Sequence, residues 1–209
     1  MTDLPMLRLL PLGLLAATAA CRTNPAIPFQ KDHWQFFVAG GRGAVKDDFV
    51  EQTNHLALDI VVPRENTAGW CHEVSLRISG GEGNGVRRMS AQEGGGSQPS
   101  ERELDFREFG YGARQYYQQD SSLTPYVAAG LAVFRYDVHE DYVDTNGIAR
   151  GNSEHDIEFG VYLRTGVLWN TLRDVFAEES EFKLGLDMRG LYATDYSTIE
   201  FALVLGIGK

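Results

Sequence analysis

The sequence predicts an all-β fold of about eight antiparallel strands, and three observations lead to this prediction. Apolar residues alternate with small or charged ones in several segments, which is the periodicity of a strand and not of a helix. Glycine is frequent at 23 residues, and aromatic residues make up 11% of the chain, a mixture typical of strands and turns. No run of about 18 apolar residues occurs beyond the first residues, so no transmembrane helix is expected.

Length and charge narrow the class of protein further. The chain has 209 residues, which suits one domain. Its formal net charge of −10 and its pI of about 4.9 argue against nucleic acid as a partner. Binding to phosphates along a nucleic acid needs clustered Lys and Arg side chains.

The first element is a targeting segment, and residues 1–20 are predicted to be an export signal peptide. Arg8 carries the only side-chain positive charge ahead of the apolar stretch Leu9–Ala20, which ends in small residues. The sequence Thr18-Ala19-Ala20-Cys21 resembles a bacterial lipoprotein cleavage box, which implies lipidation of Cys21. Ordinary cleavage near Ala20, which leaves Cys21 as a plain thiol, is the alternative.

Residues 21–33 show no sustained alternation and are predicted to be an N-terminal tether, followed by a β-barrel domain over residues 34–209. A disulfide between Cys21 and Cys71 is compatible with an oxidising compartment, but spacing alone does not establish it.

Alternation in the first half of the domain predicts four strands. In the second of them, Leu56, Leu58 and Ile60 share one face, opposite His55 and Asp59. The four strands are predicted at Trp34–Gly41, Thr53–Val62, Trp70–Ser79 and about Glu103–Tyr117. Polar or Gly-rich stretches between them are predicted to be loops and turns, at Arg42–Glu51, Pro63–Gly69 and Gly80–Glu101.

The second half repeats this pattern. In the sixth strand Ile157, Phe159 and Val161 lie on one face, opposite Glu158 and Gly160. The strands are predicted at Tyr126–Asp137, at Glu154–Leu168, and as a hairpin within Glu181–Lys209 that breaks at Ala193–Ser197. The connections are predicted to be a turn at Gln118–Pro125, an acidic loop at Val138–Ser153, and a connector at Trp169–Ser180 with one helical turn at Leu172–Glu178.

Alternation alone leaves open whether the apolar face lies inside a soluble barrel or faces lipid. The opposite face is rich in Gly and Ala beside isolated charges, whereas a water-exposed strand face more naturally carries Thr, Lys and Glu. Its charges are also balanced, which suits a closed interior because buried charges need partners. We therefore predict a lumen charge network made of Glu108, Arg114, Glu158, Arg164, Lys183, Asp187, Arg189 and Glu200.

Aromatic residues near the predicted strand ends point to the same orientation. Trp34, Trp70, Tyr117, Tyr126 and Trp169 stand where an interfacial girdle is expected in a membrane barrel. The apolar face is therefore predicted to point outward, into lipid.

Two segments, Thr124–Ala132 and Glu158–Gly166, resemble strands of small outer-membrane β-barrel proteins of the OmpA/OmpX-like type. The resemblance implies an antiparallel up-and-down transmembrane β-barrel in the bacterial outer membrane, in contact with outer-membrane lipid. It also implies short periplasmic turns and long external loops. We expect a monomer with an extracellular or periplasmic partner that the sequence does not identify.

The sequence predicts a structural or interaction protein and not an enzyme, with no cofactor and no metal site. The Gly-rich segment Gly80–Gly85 lacks the Lys-Ser/Thr of a phosphate-binding loop. His55, Asp59, Glu73 and Ser75 share an inner face and allow a hydrolase-like group, but polar lumen residues satisfying one another is the favoured interpretation.

Two more features carry chemistry-bearing side chains. Cys71 is predicted to point inward and to be inert. The seven acidic and histidine residues around the predicted acidic loop match no defined metal site, so they are interpreted as a solvated loop: Asp137, His139, Glu140, Asp141, Asp144, His155 and Asp156.

Two other functions remain open at this stage. One is a soluble periplasmic lipid- or ligand-binding β-barrel, tethered if Cys21 is acylated. The other is an outer-membrane lipid-modifying enzyme, although the His-x-Ser-Asn type signature of lipid A deacylases is absent from the sequence.

Overall fold

The structure, a computed structural model, describes residues 34–45, 52–63, 70–88, 97–117, 122–143, 148–173, 181–194 and 196–208. Eight strands form it: β1 (Gln35–Val45), β2 (Gln52–Pro63), β3 (Trp70–Arg88), β4 (Ser97–Tyr116), β5 (Leu123–Val143), β6 (Ala149–Arg173), β7 (Glu181–Ala193) and β8 (Ser197–Gly208). Within the described residues, no helix is long and apolar enough to cross a membrane.

Each strand pairs with its neighbour in the chain, and β1 also pairs with β8, so the sheet closes into a barrel. All pairs are antiparallel. The predicted fold class, an all-β antiparallel up-and-down barrel of eight strands, is confirmed. Closure leaves no free strand edge in the barrel wall, which is the condition for a sheet to cross a bilayer.

Several strands extend beyond their predicted bounds, and two predicted loops were wrong. In the predicted loop Gly80–Glu101, the strand residues Gly80–Arg88 pair with Ser97–Asp105. The predicted acidic loop Val138–Ser153 is likewise largely strand, because Val138–Val143 pairs with Ala149–Glu154. Backbone hydrogen bonds continue a hairpin without any apolar alternation in its side chains, so sequence periodicity ends before the strand does.

The ends of other strands also differ from the prediction. β1 runs on through Arg42–Val45, where the sequence predicts the start of a loop, and β6 continues to Arg173. Residues 172 and 173 are therefore strand and not the start of a helical turn, and the rest of that predicted turn lies outside the described residues.

Four of the strands continue past the barrel wall. The pairing of β2 with β3 ends at Asn54 and Gly80, and the pairing of β6 with β7 ends at Gly160 and Ala193. Beyond these points β3, β4, β5 and β6 still pair with one another. We call this part the four-stranded extension; it lies at the end of the barrel where β3 joins β4 and β5 joins β6.

Burial alternates along the strands with the period of two that the sequence predicts. Large apolar side chains point outward and are exposed, such as Leu131 at 69% and Phe159 at 79%. Charged side chains such as Arg114 on β4 and Arg164 on β6 point into the barrel and are buried. The lumen is therefore the polar core of this molecule.

Candidate functional site in the barrel lumen

The middle of the lumen holds two fully buried arginines that bind three carboxylates. Arg114 Nε donates to Glu73. Arg164 Nη1 lies 2.7 Å from Asp59 Oδ2. Arg164 Nη1 also lies 3.2 Å from Glu73 Oε1, and Arg164 Nε lies 2.5 Å from Asp187 Oδ2. Five different strands contribute these side chains, so the group ties opposite walls of the barrel together.

A second set of ion pairs lies beside the first. Arg77 on β3 pairs with Glu200 on β8, and Arg189 on β7 pairs with Glu108 on β4. A longer contact of 3.6 Å between Arg189 Nη1 and Glu200 Oε2 joins the two pairs. All four side chains are buried. Each carboxylate in the set faces a guanidinium, which is the condition for burying charge at tolerable cost.

Most residues of the predicted charge network lie in these two groups. Arg164 contacts Asp187 and Glu200 contacts Arg189, as expected for strands that lie side by side. Lys183 lies apart from them, with its Nζ 3.4 Å from Glu181 Oε2. Glu158 is on the inner face of β6 and half-buried.

Sequence reasoning left three charged residues out of the network. Asp59, Glu73 and Arg77 lie on the inner face and are as buried as the predicted members. The signal was present, because the alternation that placed Glu108 and Arg164 inside also applies to β2 and β3. Asp59 and Glu73 were instead grouped with His55 as a hydrolase-like set.

The geometry of that set matches the favoured interpretation of polar lumen residues that satisfy one another. The Ser75 hydroxyl donates to Asp59 Oδ1 at 2.7 Å. Neither ring nitrogen of His55 has a hydrogen-bond partner within the described residues, so the histidine is not bonded to the serine. Asp59 and Glu73 are held in ion pairs with the two central arginines.

Apolar clusters lie in the lumen on both sides of the charges, which the sequence analysis did not predict. Near the four-stranded extension, Phe106 packs edge-on against Tyr196, with ring centroids 5.0 Å apart, and the ring of Tyr136 packs at a tilt against Tyr196 at 4.4 Å. Tyr196 directly precedes β8, and its buried side chain belongs to the apolar cluster at this end of the barrel. At the opposite end a second cluster includes Phe37, Leu168 and others.

Tyr126 does not belong to the aromatic girdle that the sequence predicts. Its side chain points inward, is 1% exposed, and lies under the Arg114 guanidinium at 4.4 Å from ring centroid to Cζ. Alternate residues of a strand share a face, so Tyr126 lies on the same inward face as Ala128 and not on the face of Val127. Trp34, Trp70 and Trp169 do point outward, and all three lie at the barrel end opposite the extension.

Glycines on the inner face make room for rings as well as for charged chains. Gly112 on β4 lies directly opposite Gly130 on β5. A Cβ on Gly112 would lie 2.5 Å from the Tyr162 hydroxyl oxygen, and one on Gly130 would lie 2.7 Å from its ring. The ring of Tyr162 therefore packs on bare backbone, and its hydroxyl donates to Glu73 at 3.3 Å.

The other candidate chemistry does not form a site in the part of the chain described. Cys71 is a free, buried thiol. Among the described residues no group of three or more His, Cys, Asp or Glu side chains could hold a metal ion. The acidic residues predicted to lie in a loop between β5 and β6 are instead distributed along those strands, except Asp144, which lies outside the described residues.

The sequence matches no family model and no curated protein. Among solved structures, the fold resembles Ail, the attachment invasion locus protein of Yersinia pestis, with 11% identity and a TM-score of 0.50 over 86% of this chain and 100% of that one. Neisserial surface protein A is 10% identical over 85% and 97%, with a TM-score of 0.46. OprG of Pseudomonas aeruginosa is 10% identical over 85% and 95%, with a TM-score of 0.46. At this identity the likeness to Ail is one of fold.

Proposed function

We propose that this chain, which has the eight-stranded fold of small outer-membrane β-barrels, spans the bacterial outer membrane as a structural or interaction protein with a closed lumen. One observation carries the proposal: buried ion pairs fill the barrel while large apolar side chains cover its outside. In water this arrangement would expose the apolar surface and bury the charge. In a bilayer the apolar face contacts lipid, and closure satisfies the backbone.

Membrane insertion is tested by carbonate extraction and by heat-modifiable migration of the purified protein. We expect the chain to remain with the membrane after carbonate treatment and to migrate faster unheated than boiled, because a closed barrel resists detergent until heated. Release into the soluble fraction would favour the soluble lipid- or ligand-binding alternative.

The closed lumen is the second part of the proposal. Cross-lumen contacts such as Arg77 with Glu200, together with the aromatic layer at the barrel mouth, support an interior filled by its own side chains. Planar-bilayer recording of the wild-type monomer should show no steady, large conductance. Such a conductance would contradict the filled lumen.

The four-stranded extension is the part best placed for an interaction role. Its outward face carries acidic side chains, among them Glu101, Glu103 and Asp105 on β4. Family topology places the long hairpins outside the cell. Protease added to whole cells should therefore cleave between β3 and β4, within residues 89–96, before any other site. Cleavage there only after cell lysis would reverse the orientation.

The N-terminal assignments belong to the same proposal and concern residues outside those described. Residues 1–20 would act as an export signal, and residues 21–33 would tether the barrel to a lipidated Cys21. Mass spectrometry of the mature N-terminus decides between a lipid adduct on Cys21 and an unmodified thiol.

No catalytic step is part of the proposal. A lipid-modifying enzyme would need a nucleophile and a base in contact at the lipid-facing surface, whereas Ser75 bonds to Asp59 inside the barrel. Hydrolysis of lipid A by the purified protein would revive this third alternative.

A further inference from the structure

Two arginines face outward at the border of the apolar outer surface of the barrel. They lie directly opposite each other on adjacent strands. Arg107 of β4 pairs in register with Arg135 of β5. Their other cross-strand neighbours are apolar, Ile78 on β3 and Ile157 on β6, and both of these are exposed. The two arginines therefore interrupt a cross-strand row of outward-facing apolar side chains.

Among the described residues, one carboxylate, that of Asp137, is in direct contact with this pair of guanidinium groups. Like charges directly opposite each other on a sheet are destabilising. Arg135 donates to Asp137 Oδ1 at 2.8 Å and is still 51% exposed. Arg107 forms no ion pair with any carboxylate in the part of the chain that the structure describes. The next outward row holds Asp105, Asp137 and His155.

An open apolar groove of about 720 Å³ on the outer surface has both arginines in its lining. It lies between two neighbouring cross-strand rows of outward side chains. One row contains Leu58, Leu76 and Phe109, and the other contains Ile78 beside Arg107. The groove therefore offers an apolar channel with two positive charges at one border.

We propose that this groove and the arginine pair bind a phosphorylated lipid of the outer leaflet. The phosphate lies between the guanidinium groups of Arg107 and Arg135, and an acyl chain lies along the groove. Guanidinium forks match phosphate oxygens in two-point contacts, and long Arg side chains reach from apolar surface to the headgroup level. A shared phosphate removes the repulsion within the pair. This inference rests on the proposed insertion in the outer membrane with the extension outside.

The test measures lipid binding by native mass spectrometry of the refolded full chain in detergent micelles. The probe is bis-phosphorylated lipid A, compared with its dephosphorylated form. For the double variant R107Q/R135Q we expect the dissociation constant for the phosphorylated probe to rise about tenfold or more. Wild-type protein should bind the dephosphorylated form as weakly as the double variant binds the phosphorylated one.

A matched control is Arg42→Gln. Arg42 is also exposed and outward-facing, but it lies opposite Asn54 and Phe201 and not opposite another arginine. Its loss should change the dissociation constant by no more than about twofold. Equal affinities of wild-type protein and the double variant, or an equal loss in the control, overturn the inference.

Flotation with lipid vesicles separates this inference from the proposed function. All three proteins should float and show heat-modifiable migration, because the substituted side chains are exposed. Wild-type protein that fails to float overturns membrane insertion and the lipid site together. Wild-type protein that floats but binds both probes equally overturns the lipid site alone.

Discussion

The inner and outer faces of the same strands have opposite chemistry, and the order is reversed from that of a water-soluble barrel. On the outside, Phe159 is 79% exposed and Leu131 is 69% exposed. On the inside, Arg114 and Glu73 are both 0% exposed. The two faces alternate residue by residue, so every short segment of a strand contributes side chains to both.

Burial within the protein and hydrophobicity are therefore separate properties of these side chains. In the proposed bilayer setting, apolar side chains leave water by entering lipid, which does not require them to be inside the protein. Charged side chains can then occupy the interior, where other strands, adjacent or across the lumen, supply their partners. Stability should therefore depend on matched charge inside and on the absence of charge outside.

The largest effect is expected from Arg114→Ala on the inner face. Its removal takes the main partner from Glu73 and leaves uncompensated negative charge in the lumen. We expect the free energy of unfolding to fall by about 3–5 kcal/mol, measured by urea titration in lipid vesicles. Arg42→Ala on the outer face should cost less than about 1 kcal/mol. Equal losses would mean that the central ion pairs add nothing.

On the outer face, Val161→Arg should be the most damaging change of this kind. Val161 faces outward between Leu131 and Tyr192, so the new charge would lie among lipid-facing side chains. The cost at mid-membrane is about 2–4 kcal/mol, and insertion should drop in a vesicle-folding assay.

Val161→Leu is the matched control and should insert normally. Gly160→Ala, on the opposite face, is unsuitable because its Cβ would lie 2.8 Å from the backbone oxygen of Tyr192. Normal insertion of Val161→Arg would contradict the assignment of this face to lipid.

A smaller loss is expected for Glu200→Ala. The substitution affects the two arginine partners of Glu200 differently. Arg189 keeps its ion pair with Glu108, whereas Arg77 loses its ion pair. We expect a loss of about 1.5–3 kcal/mol in the same urea titration. Glu103→Ala removes an exposed carboxylate of the extension and should change stability by less than about 0.5 kcal/mol. A larger loss for Glu103→Ala would contradict the charge-matched interior.

The smallest expected change in stability comes from removing the hydroxyl group of a buried lumen tyrosine, and two such tyrosines should respond differently. The Tyr162 hydroxyl donates to Glu73, so Tyr162→Phe should cost about 1 kcal/mol. The Tyr126 hydroxyl has no hydrogen-bond partner within the described residues, so Tyr126→Phe should be neutral or slightly stabilising. The two unfolding midpoints should therefore shift in different degrees; identical shifts would show that the hydrogen bond to Glu73 adds nothing.

The sequence predicts correctly which side chains point inward where this depends only on the alternation of residues within a strand. Arg164, Asp187 and Glu200 were all expected inside, and they are buried there. Prediction of strand length failed at Gly80–Glu101, because the hairpin there is held by backbone pairing that leaves no period in the side chains. Tyr126 was misplaced because its proximity to a strand end was given more weight than its parity.

The sequence by itself determined that the chain is all-β, which residues share a face, and that one face is apolar and the other charged. These properties follow from the two-residue repeat of a strand, which is local. Only the tertiary structure decided which charges meet. Arg77 of β3 reaches Glu200 of β8 because barrel closure brings strands that are not neighbours to opposite sides of a narrow lumen. Barrel diameter and register, which depend on all eight strands at once, set that distance.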